Sequence, residues 1–278
     1  MRKIVTPIIV LVIIICIIFS VTSCMSTTDM RNQLFDAIEN NDLDTVNTIL
    51  DKYPSLINAE KVGLIKYLLG APTGTPLLEA IQFNNFELVK LLVDRGANVN
   101  LCAISAPLIS AIEGNNFDIA WFLIENGADI SIIDRSPWEK NVLFTIISWK
   151  IDEHDFNDHD IEIERFKLFK YVLEQGISLD PPIGKPDGIY NILGLAAYKN
   201  HSLAAKYLLD EAIVEIDVIV NDSNKTSLIC AVENQSYATC RILLDYGADR
   251  TLKDANGKTA LDYAIELEDE KLIEMLSE

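Results

Sequence analysis

Residues 74–100 read GTPLLEAIQFNNFELVKLLVDRGANVN, a stretch that specifies two short helices and the turns around them. Thr75 is placed to cap the first helix, and Pro76 falls in its first turn, where the missing N–H costs no hydrogen bond. Asn84 and Asn85 supply the turn between the helices, because asparagine tolerates a left-handed backbone.

The second half of this stretch predicts an amphipathic helix that ends at a glycine. Leu88, Leu91 and Leu92 follow the i, i+3, i+4 spacing of a stripe that faces the core. Gly96 then ends the helix, because glycine adopts a left-handed conformation without a steric penalty. The stretch as a whole predicts one helix–turn–helix unit.

The same pattern returns along the chain. Residues 106–131 read APLISAIEGNNFDIAWFLIENGADIS, and residues 225–251 read KTSLICAVENQSYATCRILLDYGADRT. A small residue in the first helix lets neighbouring helices approach closely; it recurs at Ala80, Ala111, Ala196, Ala231 and Ala264. Further glycines that close a second helix are Gly127, Gly176 and Gly247. An aromatic residue ten positions earlier is predicted to fill the space between helices, at Phe86, Phe117, Phe166 and Tyr237.

The spacing of these positions predicts a repeat protein. It is 31 residues from Ala80 to Ala111, 35 from Ala196 to Ala231 and 33 from Ala231 to Ala264. The predicted repeats start near Arg31, Gly74, Ser105, Asn141, Tyr190, Lys225 and Lys258.

This pattern resembles the ankyrin repeat, from the Thr-Pro-Leu start at 75–77 to the Gly-Ala-Asn-Val-Asn ending at 96–100. The resemblance covers nearly all of residues 31–278. It implies an all-α solenoid of about seven helix–turn–helix units with hairpin-like loops, whose first helices and loop tips form a concave face. It also implies a protein that binds another protein and has no catalytic residues.

The chain departs from the family pattern at several positions. The histidine that follows Thr-Pro-Leu in the family is absent, so apolar packing is predicted to replace its hydrogen bonds; the residues in its place are Leu78, Ile109, Phe144, Gly194, Ile229 and Asp262. Ala212 stands where glycine closes the fifth repeat, so that helix end is predicted to be strained by roughly 1 kcal/mol or reshaped. Tyr53 in the first repeat and the Glu- and Lys-rich second helix of the last repeat are typical of caps.

Two insertions interrupt the period, within residues 60–73 and around residues 151–164. The second is acidic, is predicted to separate the two helices of the fourth repeat, and holds His154 and His159 beside Asp155. Imidazole and carboxylate ligands suit zinc or manganese, but no spacing here matches a known ligand motif, and a solvated charged loop is the simpler interpretation. We therefore predict no metal and no other cofactor. His201 falls in an interhelical turn, where the family prefers histidine, which indicates a scaffold role.

The loop tips are predicted to contact the partner, because they do not pack within the repeats. The tip at 133–138 places a tryptophan beside an arginine, a composition typical of binding hot spots. The predicted contact residues are Ile133, Asp134, Arg135, Trp138, Lys253, Asp254 and Asn256. Trp138 folded back on the fourth repeat is the alternative.

The N-terminus carries a different signal. Arg2 and Lys3 precede the apolar run 4–21, and Val21-Thr22-Ser23-Cys24 resembles the bacterial lipobox, in which the cysteine is acylated. This predicts a lipoprotein signal peptide at 1–23, a lipid-anchored tether at 24–30 and the repeat domain at 31–278. An uncleaved transmembrane anchor is the alternative. Met25, where an aspartate would indicate inner-membrane retention, favours the outer membrane of a bacterial envelope.

Composition limits the partners. The chain has 23 basic and 42 acidic residues and a formal charge of −19, which excludes the basic footprint of a nucleic-acid-binding protein. We predict a membrane-tethered scaffold whose partner has a basic patch, with no small-molecule substrate. The alternative is an envelope sensing or protective protein that holds a metal in the acidic insert. Cys102, Cys230 and Cys240 are predicted to be small buried thiols, a Cys230–Cys240 disulfide being the alternative.

Overall fold

The computed structural model describes residues 27–61, 74–103, 105–133, 140–149, 156–179, 188–189 and 191–277, with the backbone alone at 156–159. Within these residues the chain is helical, and its only extended pairings are three isolated antiparallel bridges. The helices are α1 (27–39), α2 (Leu43–Lys52), a 3-10 helix (Pro54–Asn58), α3 (Pro76–Gln82), α4 (Phe86–Asp94), α5 (Pro107–Glu113), α6 (Phe117–Glu125), α7 (Val142–Ile146), α8 (Phe156–Glu174), α9 (Ile192–Lys199), α10 (Ser202–Asp210), α11 (Ser227–Glu233), α12 (Tyr237–Asp245), α13 (Ala260–Glu266) and α14 (Glu270–Ser277).

The described residues form two compact bodies that divide after Ala103. The first body holds the first two repeats, and α1 begins inside the segment predicted as a tether. The second body holds the third to seventh repeats. There, first helices pack on first helices, as α9 does on α11 and α11 on α13, and second helices pack on second helices, as α10 does on α12. Each repeat thus buries its apolar surface against its neighbours.

Side-chain caps begin five of the described first helices, and among them Thr75 is the cap that the sequence predicts. The side chains of Thr75, Asn141, Asn191, Thr226 and Thr259 each accept a hydrogen bond from the backbone N–H three residues on. Such a bond satisfies one of the donors left open at a helix N-terminus, and its loss costs about 1 kcal/mol.

Left-handed residues form the turns, as predicted. Gly96, Gly127, Gly176 and Gly247 have φ between +74° and +89°, and Asn84 and Asn115 have φ of +51° and +56°. Ala212 has φ +50°, so the fifth repeat keeps the turn and the alanine is strained.

The core confirms the small and apolar positions. The five recurring alanines are completely buried, and Leu78, Ile109, Phe144 and Ile229 occupy the position of the family's histidine with at most 1% exposure. Gly194 holds this position in the fifth repeat for a steric reason. A Cβ atom there would lie 2.6 Å from Cβ of Val220, so only glycine fits.

Two packing predictions are corrected. Of the aromatic residues expected to fill the space between helices, Phe117 is buried, but Phe86, Phe166 and Tyr237 are half-buried. Phe86 and Tyr237 start second helices, where polar neighbours reach them; the Tyr237 hydroxyl donates to Asp269 over 2.6 Å. Phe166 lies inside α8 and packs edge-on against the ring of Tyr207, with 5.9 Å between the ring centroids. In the α4 stripe the half-buried residue is Leu91, and Val89 is buried beside Leu88 and Leu92.

The acidic insert is not the loop that the sequence predicts. Helix α8 begins at Phe156, so its residues up to 164 are helical and continue into the second helix of the fourth repeat. Glu162 and Arg165 are buried, which a solvated loop would not allow. Helix α7 is correspondingly short, and the chain leaves the repeat directly after it.

Arg165 binds the carbonyl oxygens at the ends of two first helices. Its Nη1 donates to Thr145 O at 3.2 Å and Ile146 O at 2.5 Å, and its Nη2 donates to Ile112 O at 3.1 Å. Nη2 also donates to Asn115 Oδ1 at 2.6 Å. Arg165 is only 1% exposed. Its guanidinium donates hydrogen bonds to carbonyl oxygens at the end of the short helix α7. It also links the third repeat to the fourth.

Candidate functional site

Short hairpins project between successive repeats of the second body, and we call them fingers. The finger before the fourth repeat is closed by an antiparallel bridge between Ile133 and Asn141, and the finger before the sixth by a bridge between Ile219 and Thr226. Each bridge ends at a residue that caps the next first helix. The bridged residues are therefore held against the start of the next first helix.

Asp254 builds the finger before the seventh repeat. It is 6% exposed, and its carboxylate accepts hydrogen bonds of 2.9 Å from the backbone N–H groups of Asn256 and Lys258 and of 2.7 Å from the Tyr263 hydroxyl. Burial alone would raise the pKa of Asp254, but the bonds from Tyr263, Lys258 and Asn256 outweigh it and lower the pKa. This carboxylate shapes the finger and is not free to contact a partner.

The finger before the sixth repeat uses the same device with a different residue. Asn221 Oδ1 accepts hydrogen bonds of 3.1 Å from the backbone N–H groups of Ser223 and Lys225. The N–H of Ala255 donates to Ser223 O over 2.8 Å and joins the two neighbouring fingers. The last two fingers thus form one hydrogen-bonded surface.

Some of the predicted contact residues are exposed on the fingers, and others lie outside the residues that the structure describes. Ile133 is 55% exposed at its finger, and Lys253 and Asn256 are exposed at theirs. Asp134, Arg135 and Trp138 lie outside the described residues, so their predicted contacts stay predictions.

Sequence analysis missed two exposed residues, Val218 and Ile219, which are 38% and 50% exposed. The signal was the apolar run Val218-Ile219-Val220 directly before the polar residues 221–226. Only Val220 of the three is buried, so the other two present aliphatic surface at the finger.

Ion pairs flank the fingers at the first helices. Lys225 binds Glu233 at 2.6 Å and Lys258 binds Glu266 at 2.7 Å, each lysine preceding the first helix that the glutamate ends. Lys140 pairs with Glu113 of the preceding repeat. The hydrogen bond that Lys258 donates to Glu266 raises the pKa of Lys258. The three lysines are therefore held in pairs and do not form a free basic strip.

Tyr263 lies between two of these pairs. The Nζ atoms of Lys225 and Lys258 are 5.0 and 5.3 Å from the centroid of its ring. Burial is the first cause that raises the pKa of this phenol, followed by its bond to Asp254. The ring joins the finger to the pairs, so the surface of the last two repeats is preorganised.

Of the remaining predicted site residues, only His159 lies among the residues that the structure describes. Cys24, His154 and Asp155 lie outside the described residues, and His159 lies in α8. In the part of the chain that the structure describes, no group of three or more His, Cys, Asp or Glu residues could hold a metal ion. Over the same ranges, no helix has the length and apolar character that crossing a bilayer demands.

The three cysteines that the structure describes are free thiols, with Cys230 and Cys240 buried and Cys102 half-buried. Burial raises the pKa of both Cys230 and Cys240 to about 12, so neither is a thiolate near neutral pH. The prediction of small buried thiols is confirmed for these two.

Stacked helix–turn–helix repeats with projecting fingers are the architecture of solenoid repeat proteins, which bind their partners on an extended surface. A family model described as ankyrin repeats (3 copies) matches residues 34–134, 163–254 and 193–278, and the chain belongs to the ankyrin-repeat family. The predicted all-α ankyrin-repeat solenoid is thereby confirmed. Ankyrin repeats mediate protein–protein interaction, and the family is typically a non-enzymatic scaffold. A search of curated proteins found no match.

Proposed function

We propose that the finger surface of the second body is the docking site for another protein, and that a lipid on Cys24 holds the chain at a bacterial membrane. The observation that carries the docking site is the exposure of Ile133 and Ile219, 55% and 50%, at bridges whose other residues cap the next first helices. Exposed aliphatic side chains on a rigid support favour binding, because little conformational entropy is lost when a partner covers them.

The charges on this surface favour a partner that is apolar at its centre and basic around it. The lysines beside the fingers are neutralised by Glu113, Glu233 and Glu266, whereas the chain as a whole carries a formal charge of −19. Such a field attracts a basic protein and speeds its association, and salt weakens that effect. The partner would place an aliphatic or aromatic patch on Ile133 and Ile219, with Lys or Arg at its rim.

The sequence alone supports the membrane tether. The basic start, the apolar run 4–21 and Val21-Thr22-Ser23-Cys24 form the pattern of a lipoprotein signal, and Met25 favours the outer membrane. The acidic body would be repelled by anionic lipid headgroups and would turn towards solvent and its partner.

Site-specific photo-cross-linking tests the docking site. A photoreactive amino acid is placed at Ile219 or Ile133 of the full chain in a bacterial host, and at the exposed Gln175 at the end of α8 as a matched control. We expect one and the same protein to be cross-linked from positions 219 and 133 and not from position 175. Identical products from all three positions would contradict the proposal.

A further inference from the structure

The first helix of the last repeat exposes an apolar side chain at a position that every other repeat of the second body buries. This position is the sixth residue after the N-cap. Ile265 is 54% exposed there. The equivalent residues are at most 1% exposed: Ile112, Ile147, Ala197 and Val232.

Two more positions behave in the same way. Leu261, the second residue after the N-cap, is half-buried, whereas its equivalents Leu108, Leu143, Leu193 and Leu228 are at most 2% exposed. Asp269 caps the second helix, and Ile273 is the fourth residue after it. Ile273 is half-buried, whereas its equivalents Ala120, Ala205 and Cys240 are completely buried.

These three positions mark the side of a repeat that faces the next repeat. The sixth repeat buries all three positions, which are Leu228, Val232 and Cys240. The first two belong to α11, which packs on α13 of the next repeat. Leu261, Ile265 and Ile273 are the same positions one repeat later, and within the described residues no further repeat follows. The sequence predicts a solvated cap here. That holds for Glu270, Lys271 and Glu274, which are exposed, but not for the apolar side chains between them.

We propose that this end face, formed by Leu261, Ile265 and Ile273, binds a helical segment of another protein that carries an apolar stripe flanked by Lys and Arg. The shape of the face is that of a repeat-stacking surface, so a helix fits it. This proposal goes beyond the docking site at the fingers, because it uses a different surface and different residues.

Charge selects the partner. Glu268, Glu270 and Glu274 are exposed around the end face, and none has a salt-bridge partner among the residues that the structure describes. The carboxylate of Glu266 is paired with Lys258. A second copy of the chain would bring two acidic rims together, which is unfavourable, whereas a basic flank would be attracted.

Two synthetic amphipathic helices with the same Leu and Ile stripe test the proposal, one flanked by Lys and the other by Glu. Their binding to the full chain is measured by fluorescence anisotropy at physiological ionic strength. The variant Ile265→Glu removes the proposed contact, and Gln175→Glu adds the same charge at an exposed residue that belongs to neither proposed site. Thermal unfolding checks that both variants fold.

We expect the Lys-flanked helix to bind the wild type and Gln175→Glu alike, and to bind Ile265→Glu at least about 10-fold more weakly. The Glu-flanked helix should bind the wild type at least about 10-fold more weakly than the Lys-flanked one. Equal binding to wild type and Ile265→Glu, or equal binding of the two helices, would overturn the proposal. Self-association of the wild type that Ile265→Glu abolishes would also overturn it, because a second copy would then cover the face. None of these outcomes affects the cross-linking test at Ile219.

Discussion

The imidazole Nε2 of His201 donates a hydrogen bond of 2.6 Å to the backbone carbonyl oxygen of Trp149, at the point where the chain leaves the repeat for the acidic insert. The ring is buried, and this burial is the largest cause that lowers the pKa of His201 to about 3. The bond to Trp149 acts in the opposite direction, and the positive charges of Arg165 and Lys199 lower the pKa further. His201 is therefore neutral in the folded protein.

A neutral buried histidine makes stability depend on pH. The unfolded chain binds a proton at His201 below its ordinary pKa of about 6.5, and the folded chain does not until about pH 3. Stability from this residue is thus complete above pH 6.5 and is lost as pH falls, by about 2 kcal/mol between pH 7 and pH 5. The free energy of unfolding measured in urea at several pH values checks this.

The control is His201→Gln, which removes the titrating group. His154 and His159 remain in both proteins, so the difference between the two pH profiles isolates His201. We expect the variant to be less stable at pH 7 and to lose less stability between pH 7 and pH 5. Parallel profiles would show that His201 is accessible to protons in the folded state.

Arg165 should be more important for stability than a surface lysine on the same helix. Replacing Arg165 with Met removes the guanidinium donors from the carbonyl oxygens of Ile112, Thr145 and Ile146 in the core. We expect a loss of about 3 kcal/mol or more. The matched change Lys167→Met removes an exposed partner of Glu164 and should alter stability by less than about 0.5 kcal/mol. Similar losses for the two variants in urea unfolding would contradict the role of Arg165.

Ala212 offers a stabilising substitution. Its φ of +50° is unfavourable for a residue with a Cβ atom, so Ala212→Gly should stabilise the protein by about 0.5 to 1 kcal/mol. The same change at Ala238, inside α12, should destabilise the protein by about 0.5 to 1 kcal/mol, because glycine is a poor helix former. Thermal unfolding of both variants measures whether each change raises or lowers stability. Destabilisation by Ala212→Gly would contradict backbone strain at Ala212.

The lipid anchor has a direct chemical test. If the chain is processed as proposed, expression of the full sequence in a bacterial host gives a mature N-terminus at Cys24 that carries a diacyl or triacyl glyceryl group. The intact mass of the N-terminal peptide measures this, and Cys24→Ala should abolish the addition. An unmodified peptide that begins at Met1 would indicate an uncleaved membrane anchor and would remove the argument for the outer membrane.

The repeats could be predicted from the sequence because their positions are set by local chemistry. Thr75, Asn84 and Gly96 act through caps and left-handed turns that involve only nearby residues. The departures depend on residues far apart in the chain. The close contact of Gly194 with Val220, and the bonds from Arg165 to carbonyl oxygens of two helices, exist only after the repeats have stacked.

The candidate site was predicted less well than the fold, for a related reason. Polar tips attract attention in a sequence, and Asp254 was predicted to contact a partner although its carboxylate holds the finger from inside. Val218 and Ile219 have the composition of core residues, and only the structure shows them on the surface. The register of the hairpin decides whether an aliphatic residue in a finger points inwards or outwards. A shift of the register by one residue reverses that direction.

The affinity of the cross-linked partner for finger variants shows whether the partner docks on the fingers. Binding to the purified full chain is measured by calorimetry for the wild type, for Ile133→Asp with Ile219→Asp, and for Gln175→Glu as the control. We predict that the double variant binds at least about 10-fold more weakly, that Gln175→Glu binds like the wild type, and that added salt weakens all three. Equal affinity of the double variant and the wild type, with no response to salt, would contradict docking through the fingers.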